Sequence, residues 1–321
     1  MALTSNAETE TETEEAPRSG RRAPRRSSTR VHDTLVDRVF MTGVYILLTT
    51  FMLVILVPLV NIVANSFSSP NAVNSGEVFL WPVEFTTIGY ETVLSDPQIL
   101  RGFMNSFLYT VGGTLLSLIL TVAIAYPLSR RELVGRKAII TGILFTMLFA
   151  GGLIPMYLVV QSLGMLNTRW ALIVPGAIGA WQVLIAMTFF QSQIPDSLYE
   201  AAELDGASDF RILWSVVLPL SKPLLAVIAL MYAVGTWNSY FDALIYLRDP
   251  DLYPLQLVLR NILILNTQVS GLSASEQLEM QKVADLMKYA LIVVSTVPVL
   301  LVYPFVARHF TKGVMIGAVK G

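Results

Sequence analysis

The chain has 321 residues, 54% of them hydrophobic and 14% charged, with a formal net charge of −1. Soluble domains carry about 25% charged residues, so this composition excludes an ordinary soluble globule and specifies a membrane protein. No cysteine is present, which excludes disulfides, thiolate metal sites and thiol nucleophiles, and the two histidines, His32 and His309, lie in opposite terminal tails, too far apart in the chain to suggest a metal cluster or a catalytic triad.

Residues 1–36 are poor in apolar side chains. An acidic, threonine-rich stretch (Glu8, Glu10, Glu12, Glu14, Glu15) precedes Arg18, Arg21, Arg22, Arg25, Arg26 and Arg30. Such a segment cannot bury enough apolar surface to offset its ordering entropy, so a disordered extension is expected there. The apolar run that follows, about 39–67, is too long for a signal-peptide core and reads as a retained anchor.

A spanning helix needs about 20 apolar residues, because the hydrocarbon core is about 30 Å thick and each residue rises about 1.5 Å. Six stretches meet this length: 39–67, 103–128, 138–161, 170–190, 224–247 and 283–306. Pro58, Pro155, Pro175 and Pro298 lie inside them, and each removes a backbone donor and is expected to kink its helix. The expected architecture is an all-α integral membrane protein of six transmembrane helices, with residues 37–321 forming one transmembrane domain.

The distribution of Lys and Arg sets the orientation. With the N-terminus in the cytosol, the inner side holds the N-terminal arginines, Arg130, Arg131, Arg136, Lys137, Arg211, Lys222, Arg308, Lys312 and Lys320, against Arg101, Arg169, Arg248, Arg260, Lys282 and Lys288 outside. Both termini are therefore expected in the cytosol. Of the two long outer segments, 68–101 is turn-rich. The other, 248–281, includes Leu255, Leu259, Ile262 and Leu263 on one helical face, which predicts an amphipathic helix at the outer interface or against a partner.

The connection at 192–222 is polar, cytosolic by this topology, and full of helix signals. Ser197-Leu198-Tyr199-Glu200 fits a capping box, with Asp196 suited to the positive helix end. Gly206 can close that helix in the left-handed conformation. Ser208 can cap a second helix with Phe210, Leu213 and Trp214 on one face, and Pro219 and Pro223 mark its end and the start of the next span. Ala201 and Ala202 keep the first helix slim. It can either dock into a groove of another protein or pack against this chain's own helix ends. No G-x-x-x-x-G-K-[ST] phosphate loop and no G-x-G-x-x-G fingerprint occurs, so if ATP is used, a separate subunit binds it. No catalytic residue and no metal site is expected in this chain.

The spacing of this loop, Glu200-Ala201-Ala202-x3-Gly206-x9-Val216-x-Leu218-Pro219, resembles the E-A-A-x3-G-x9-I-x-L-P signature of ABC importer permeases, with Val216 in place of the usual Ile. Asp205-Gly206-Ala207 is similar to the carbohydrate-uptake, maltose-type version. The run Lys312 to Gly321 resembles the tail of the LplC/YtcP-like branch of bacterial sugar permeases. The resemblance implies a type I importer permease fold in the plasma membrane of a bacterium. It also implies that this chain translocates a carbohydrate by alternating access, with Glu200 to Asp205 as a coupling helix in a cleft of an ABC ATPase dimer and Gly206 as its turn. A second, non-identical permease and an extracellular solute-binding protein, the latter meeting outer segments such as 248–281, complete the implied assembly. The ATPase carries ATP and magnesium, this chain binds no cofactor, and the C-terminal tail lies along the ATPase interface. Nothing suggests nucleic acid.

In the fifth span, Trp237-Asn238-Ser239-Tyr240-Phe241-Asp242 is the densest polar and aromatic cluster. An intramembrane carboxylate costs at least about 2.5 kcal/mol near the bilayer centre, so Asp242 should meet water, a partner or the boundary. Asn238 and Asp242 are four apart, which puts them on one face, and Trp237 and Tyr240 offer rings to a sugar. The simpler reading is interhelical hydrogen bonding by Asn238 and interfacial anchoring by Trp237 and Tyr240. Gln182, Asn105 and Gln161 are weaker pathway candidates. A self-contained secondary transporter or channel is the competing function; the lack of an evident inverted repeat and the scarcity of intramembrane charges speak against it.

Overall fold

The computed structural model describes residues 34–265 and 286–304, and every described element is helical. The N-terminal extension to residue 33, the segment 266–285 and the C-terminal tail from 305 lie outside these residues, and with them the expectations of disorder, of the tail contact and of the far part of the outer segment. The chain divides into two units, Met1–Leu53 and Val54–Gly321.

Helix α1 (Leu35–Ser66) carries the first unit's described residues and runs on into the second. A capping box that the sequence reading passed over starts it. The Thr34 Oγ1 accepts from the Asp37 amide at 3.2 Å, and the Asp37 carboxylate accepts from the Thr34 amide at 3.0 Å. The helix begins two residues inside the segment expected as extension. Its apolar side chains, from Leu35 to Val63, are mostly exposed, as suits a helix bathed in lipid.

In the second unit, α2 (Pro70–Asn74) and α3 (Ile88–Ser95) order the first outer segment. Helix α4 (Pro97–Ser129) is the central element. Asp96 caps it through the amides of Gln98 and Ile99 at 2.7 and 3.3 Å, and Pro97 occupies the first turn, where its missing donor costs nothing. Helices α5 (Arg136–Leu148) and α6 (Leu153–Ser162) follow, then α7 (Trp170–Ile173), α8 (Ala180–Gln193), α9 (Asp196–Leu204), α10 (Asp209–Ile212), a π-helical turn at Leu213–Val217, and α11 (Leu218–Leu220). Next come α12 (Lys222–Trp237), α13 (Phe241–Tyr246), a 3-10 turn at Pro250–Leu252, α14 (Leu255–Leu265) and α15 (Leu286–Pro304).

Six unbroken spans are not seen among the described residues. Among the described residues, α1, α4 and α15 alone are long and apolar enough to cross a bilayer. Two bent pairs, α5 with α6 at 115° and Asp209–Leu220 with α12 at 82°, raise the number to at most five. The expected fourth span is interrupted between α7 and α8, leaving α8 with 14 residues. Pro175 lacks the amide that a continuous helix requires and Gly176 follows it, so the chain leaves the helical path there. The bend between α5 and α6 falls at 149–152, where Gly152 has φ +86°, and not at Pro155, which sits harmlessly in the first turn of α6. Helices α1 and α15 run unbroken through Pro58 and Pro298.

Two apolar cores position the rest. The first gathers Ala125, Tyr126 and Leu128 of α4, Val183, Ala186, Met187 and Phe190 of α8, Ile228 and Tyr232 of α12, and Tyr199, Ile212 and Val217 of the loop. The second, toward the other end of α4, joins Val93, Ile99, Trp237, Leu255, Val258, Ala290 and Leu291. The expected amphipathic helix is therefore α14, but its apolar face packs on α4 and α15 of its own chain.

Candidate functional site: a loop helix tied to the central span

The loop between α8 and α12 folds as a helix, a glycine turn and a second helix. Its first helix starts one residue before the expected capping box. Pro195, extended at φ −60° and ψ 139°, is the N-cap residue, Asp196 opens the first turn, and no side chain caps this end. Because Ser197 already lies within the helix, the Ser197–Glu200 box does not form. The other end is as expected. Gly206 has φ +73°, its amide donates to the Glu203 carbonyl at 3.0 Å, and the Ala207 amide reaches back to the Ala202 carbonyl at 2.9 Å. This is the Schellman pattern, which satisfies the last carbonyls of α9 and needs a residue without a Cβ at its left-handed position.

Ser208 is the N-cap residue of α10, again without a side-chain bond. The π-helical turn that follows lies directly before Pro219, whose ring would clash with the Ser215 carbonyl in a regular helix; the wider turn relieves that clash. The expected apolar face is split. Leu213 packs on the first core, whereas Phe210 and Trp214 stack on each other at 6.5 Å and stay 72% and 68% exposed.

The motif residues sort into two groups. Glu200, Ala201, Asp205, Gly206 and Pro219 are exposed, while Ala202, Val216 and Leu218 are half-buried, with Ala202 and Val216 against the first core. So α9 both packs on its own chain, through Tyr199 and Ala202, and leaves its Glu200–Ala201 face open.

Arg130, absent from the motif, fixes α9 in place. At the end of α4, its Nη2 lies 2.8 Å from the Glu203 carboxylate and 3.7 Å from Glu132, and its guanidinium covers the Tyr199 ring at 4.1 Å. Burial pushes the Tyr199 phenol up, and the Arg130 charge opposes that shift. The Tyr126 hydroxyl donates to the Asp209 carbonyl at 3.2 Å, which joins α4 to the second loop helix. The Leu128 carbonyl, at the C-terminal end of α4, accepts from Arg136 Nε at 2.7 Å. A polar recess of about 190 Å³ remains between these residues, lined by Arg130, Arg131, Gln191, Asp196, Tyr199 and Glu203. The cue in the sequence was the Arg130-Arg131-Glu132 run directly after an apolar stretch, which orientation counting treats only as charge.

The candidate pathway residues scatter. Trp237 is 5% exposed, donates from Nε1 to the Ser295 carbonyl at 3.0 Å, and meets Phe103 edge-on at 5.6 Å. It anchors α12 to α15 and is not an interfacial residue. Asn238 is exposed and donates to the Val234 carbonyl of its own helix at 2.9 Å, and it makes no interhelical bond among the described residues. The helix breaks between Trp237 and Phe241, which removes the shared face expected of Asn238 and Asp242; Tyr240 and Asp242 are exposed. Gln182 is half-buried at the start of α8, folded over Gly179. Asn105 is buried and bonded to the carbonyls of Asp251 and Tyr253, and Gln161 is exposed.

Between them, Tyr232 joins three helices. Its hydroxyl lies 2.8 Å from Thr121 Oγ1 of α4 and accepts from the Gly179 amide before α8 at 3.0 Å. This contact had no signal in the sequence beyond a tyrosine in an apolar run.

The chain is 42% identical to the protein LplC of Bacillus subtilis (strain 168) over 294 residues, 91% of this chain and 98% of the relative. It is also 42% identical to the polygalacturonan/rhamnogalacturonan transport system permease protein YtcP of the same organism, over 89% and 99% of the two chains. A crystal structure of a bacterial ABC transporter involved in import of the acidic polysaccharide alginate superposes with a TM-score of 0.80 at 37% identity, covering 86% of this chain and 98% of that one. Residues 27–316 match the family of binding-protein-dependent transport system inner membrane components, and the chain belongs to that family.

Proposed function

We propose that this chain is the permease subunit of an ATP-driven ABC importer for a carbohydrate, coupled to a separate ATPase dimer through the loop at 192–222. The observation that carries the reading is the state of α9, held from behind by Tyr199 and Arg130 while Ala201, Asp205, Gly206 and the recess-rim residue Glu200 stay exposed. A helix so ordered and so bare on one side fits a cleft in a partner. Driving a two-state equilibrium from 1:99 to 99:1 takes about 5.5 kcal/mol of differential interaction, which a few side chains buried at about 1.5–3 kcal/mol each can deliver. Closure of the ATPase dimer then pulls α9 and rocks the spans between inward-open and outward-open states.

In this reading both termini are cytosolic, and α7 with α8 supplies a sixth, broken crossing. A second permease completes the membrane pair, the ATPase holds ATP and magnesium, and a solute-binding protein meets the outer segments, as the family's dependence on a binding protein supports. The cargo class is oligosaccharide. Acidic fragments lead, because alginate and polygalacturonan, the polymers tied to two similar proteins, are both polyuronates. Trp237 and Asn105 act structurally, and Asn238, Tyr240, Asp242 and Gln182 are the candidates left for lining the pathway.

Co-purification in mild detergent tests the assembly. An ATPase and a second permease should elute with the tagged chain, and a chain that elutes alone while catalysing sugar uptake in liposomes contradicts the proposal.

A further inference from the structure

We propose that α4 is the mechanical link between the outer face of the permease and α9, clamped at both ends, with Arg130 as the positioning residue at its inner end. The inference rests on the importer reading and adds the element through which the ATPase and the outer segment communicate.

The inner clamp is Arg130, which grips Glu203 and the Tyr199 ring, with Tyr126 holding Asp209 one turn away. The outer clamp is denser. Asn105, 3% exposed, donates from Nδ2 to the Asp251 carbonyl at 2.8 Å and to the Tyr253 carbonyl at 3.2 Å. The Tyr109 hydroxyl donates to the Leu252 carbonyl at 2.8 Å, and Ser106 Oγ accepts from the Leu255 amide at 2.8 Å. Arg101 pairs with Asp251 at the rim.

Three residues of one helix thus satisfy the backbone of a single outer segment, 251–255. The chain just before that segment is held by Asn167, whose side-chain oxygen accepts from the amides of Arg248 and Asp249 at 2.9 Å. Between the clamps, Thr121 of α4 meets Tyr232 of α12.

Asn105 and Ser129, the residue before Arg130, are 24 residues apart on one continuous helix, about 36 Å at about 1.5 Å per residue. A hydrogen-bonded helix transmits displacement along its axis far better than the turns beside it. Movement of α9 therefore reaches 251–255 without passing through the flexible connections, and the reverse path carries a signal from the outer face to the ATPase. The physical requirement is a rigid element that both sites bias, and α4 is the helix with polar clamps to both.

The absence of cysteine allows a clean test. The chain is assembled with its ATPase and second permease in nanodiscs, carrying Arg248→Cys with a spin label on the exposed outer segment. Mg-ATP with vanadate is the probe. In the labelled parent the spectrum should shift. Arg130→Gln and Asn105→Leu should each cut the shifted fraction about tenfold while nucleotide binding to the ATPase persists.

The two variants combined should be no worse than either alone, because they interrupt one path in series. Arg130→Glu with Glu203→Arg should restore part of the shift, which assigns the loss to the Arg130–Glu203 contact. If Arg130→Gln fails to assemble, Glu203→Gln, which leaves the Arg130–Tyr199 contact in place, should cut the shifted fraction about threefold. A full shift in an assembled Arg130→Gln complex, or additive losses in the double variant, overturns the proposal. A parent complex that gathers no ATPase overturns the importer reading, and this proposal with it.

Discussion

Arg130 Nη2 lies 2.8 Å from Glu203 Oε1, an ion pair that ties the first residue after the central helix to the helix carrying the Glu200-Ala201-Ala202 motif. Glu203 is half-exposed, so solvent screens the pair and its net contribution is modest, about 0.5–1 kcal/mol. Glu203→Gln should leave overall unfolding nearly unchanged but speed amide exchange across 196–206 about threefold, and raised salt should shrink the difference between variant and parent. Equal exchange in the two chains contradicts the tie.

Gly206 should tolerate alanine poorly and proline hardly at all. At φ +73° an alanine costs about 1 kcal/mol, while proline cannot reach that φ and deletes the amide that donates to Glu203. Exchange at the end of α9 should rise in the order parent, Gly206→Ala, Gly206→Pro. A Gly206→Pro chain with parent-like protection contradicts the Schellman closure.

Tyr232→Phe should lower thermal stability in detergent or nanodiscs by about 1 kcal/mol, because it removes a partner from both Thr121 and the Gly179 amide. Thr121→Val alone should cost less, since Gly179 keeps its acceptor. Equal losses in the two variants contradict a shared three-helix contact.

Glycine positions on the helices separate close packing from open surface. A Cβ on Gly102 would lie 3.0 Å from Val258 Cγ2 and 3.3 Å from the Leu255 Cα, so Gly102→Ala should push α4 and α14 apart and cost about 1–3 kcal/mol. Gly142, inside α5, has nothing within 4 Å. Gly142→Ala should therefore stabilise the chain by about 0.5–1 kcal/mol through helix propensity alone. Thermal unfolding of the two variants checks both signs.

Composition and period made the class legible, and motif spacing made the loop legible, because both are local properties. The loop's glycine turn was readable since only a few residues adopt its φ. The cap of α9 lies two residues before the expected one because Pro195 and Ser197 both signal a helix start, and the proline's fixed φ won. The breaks at Pro175 and after Trp237 within the expected spans were not legible for a related reason: a stretch of apolar content does not show the single residue where a backbone donor is missing or a helix is capped. Trp237 read as interfacial because its contacts, Phe103 and Ser295, are distant in sequence. Arg130 was invisible as anything but charge for the same reason.

The central claim is that the exposed face of α9 couples this permease to an ATPase, and the most direct measurement is solute-stimulated ATP hydrolysis in proteoliposomes holding the complex with Glu200→Lys. Glu200 is exposed at the rim of the Arg130 recess and its side chain makes no hydrogen bond or ion pair among the described residues, so the variant should assemble its own fold while stimulated hydrolysis falls at least about tenfold, as expected for a lost coupling of about 1.4 kcal/mol. Hydrolysis and uptake equal to those of the parent would contradict the account.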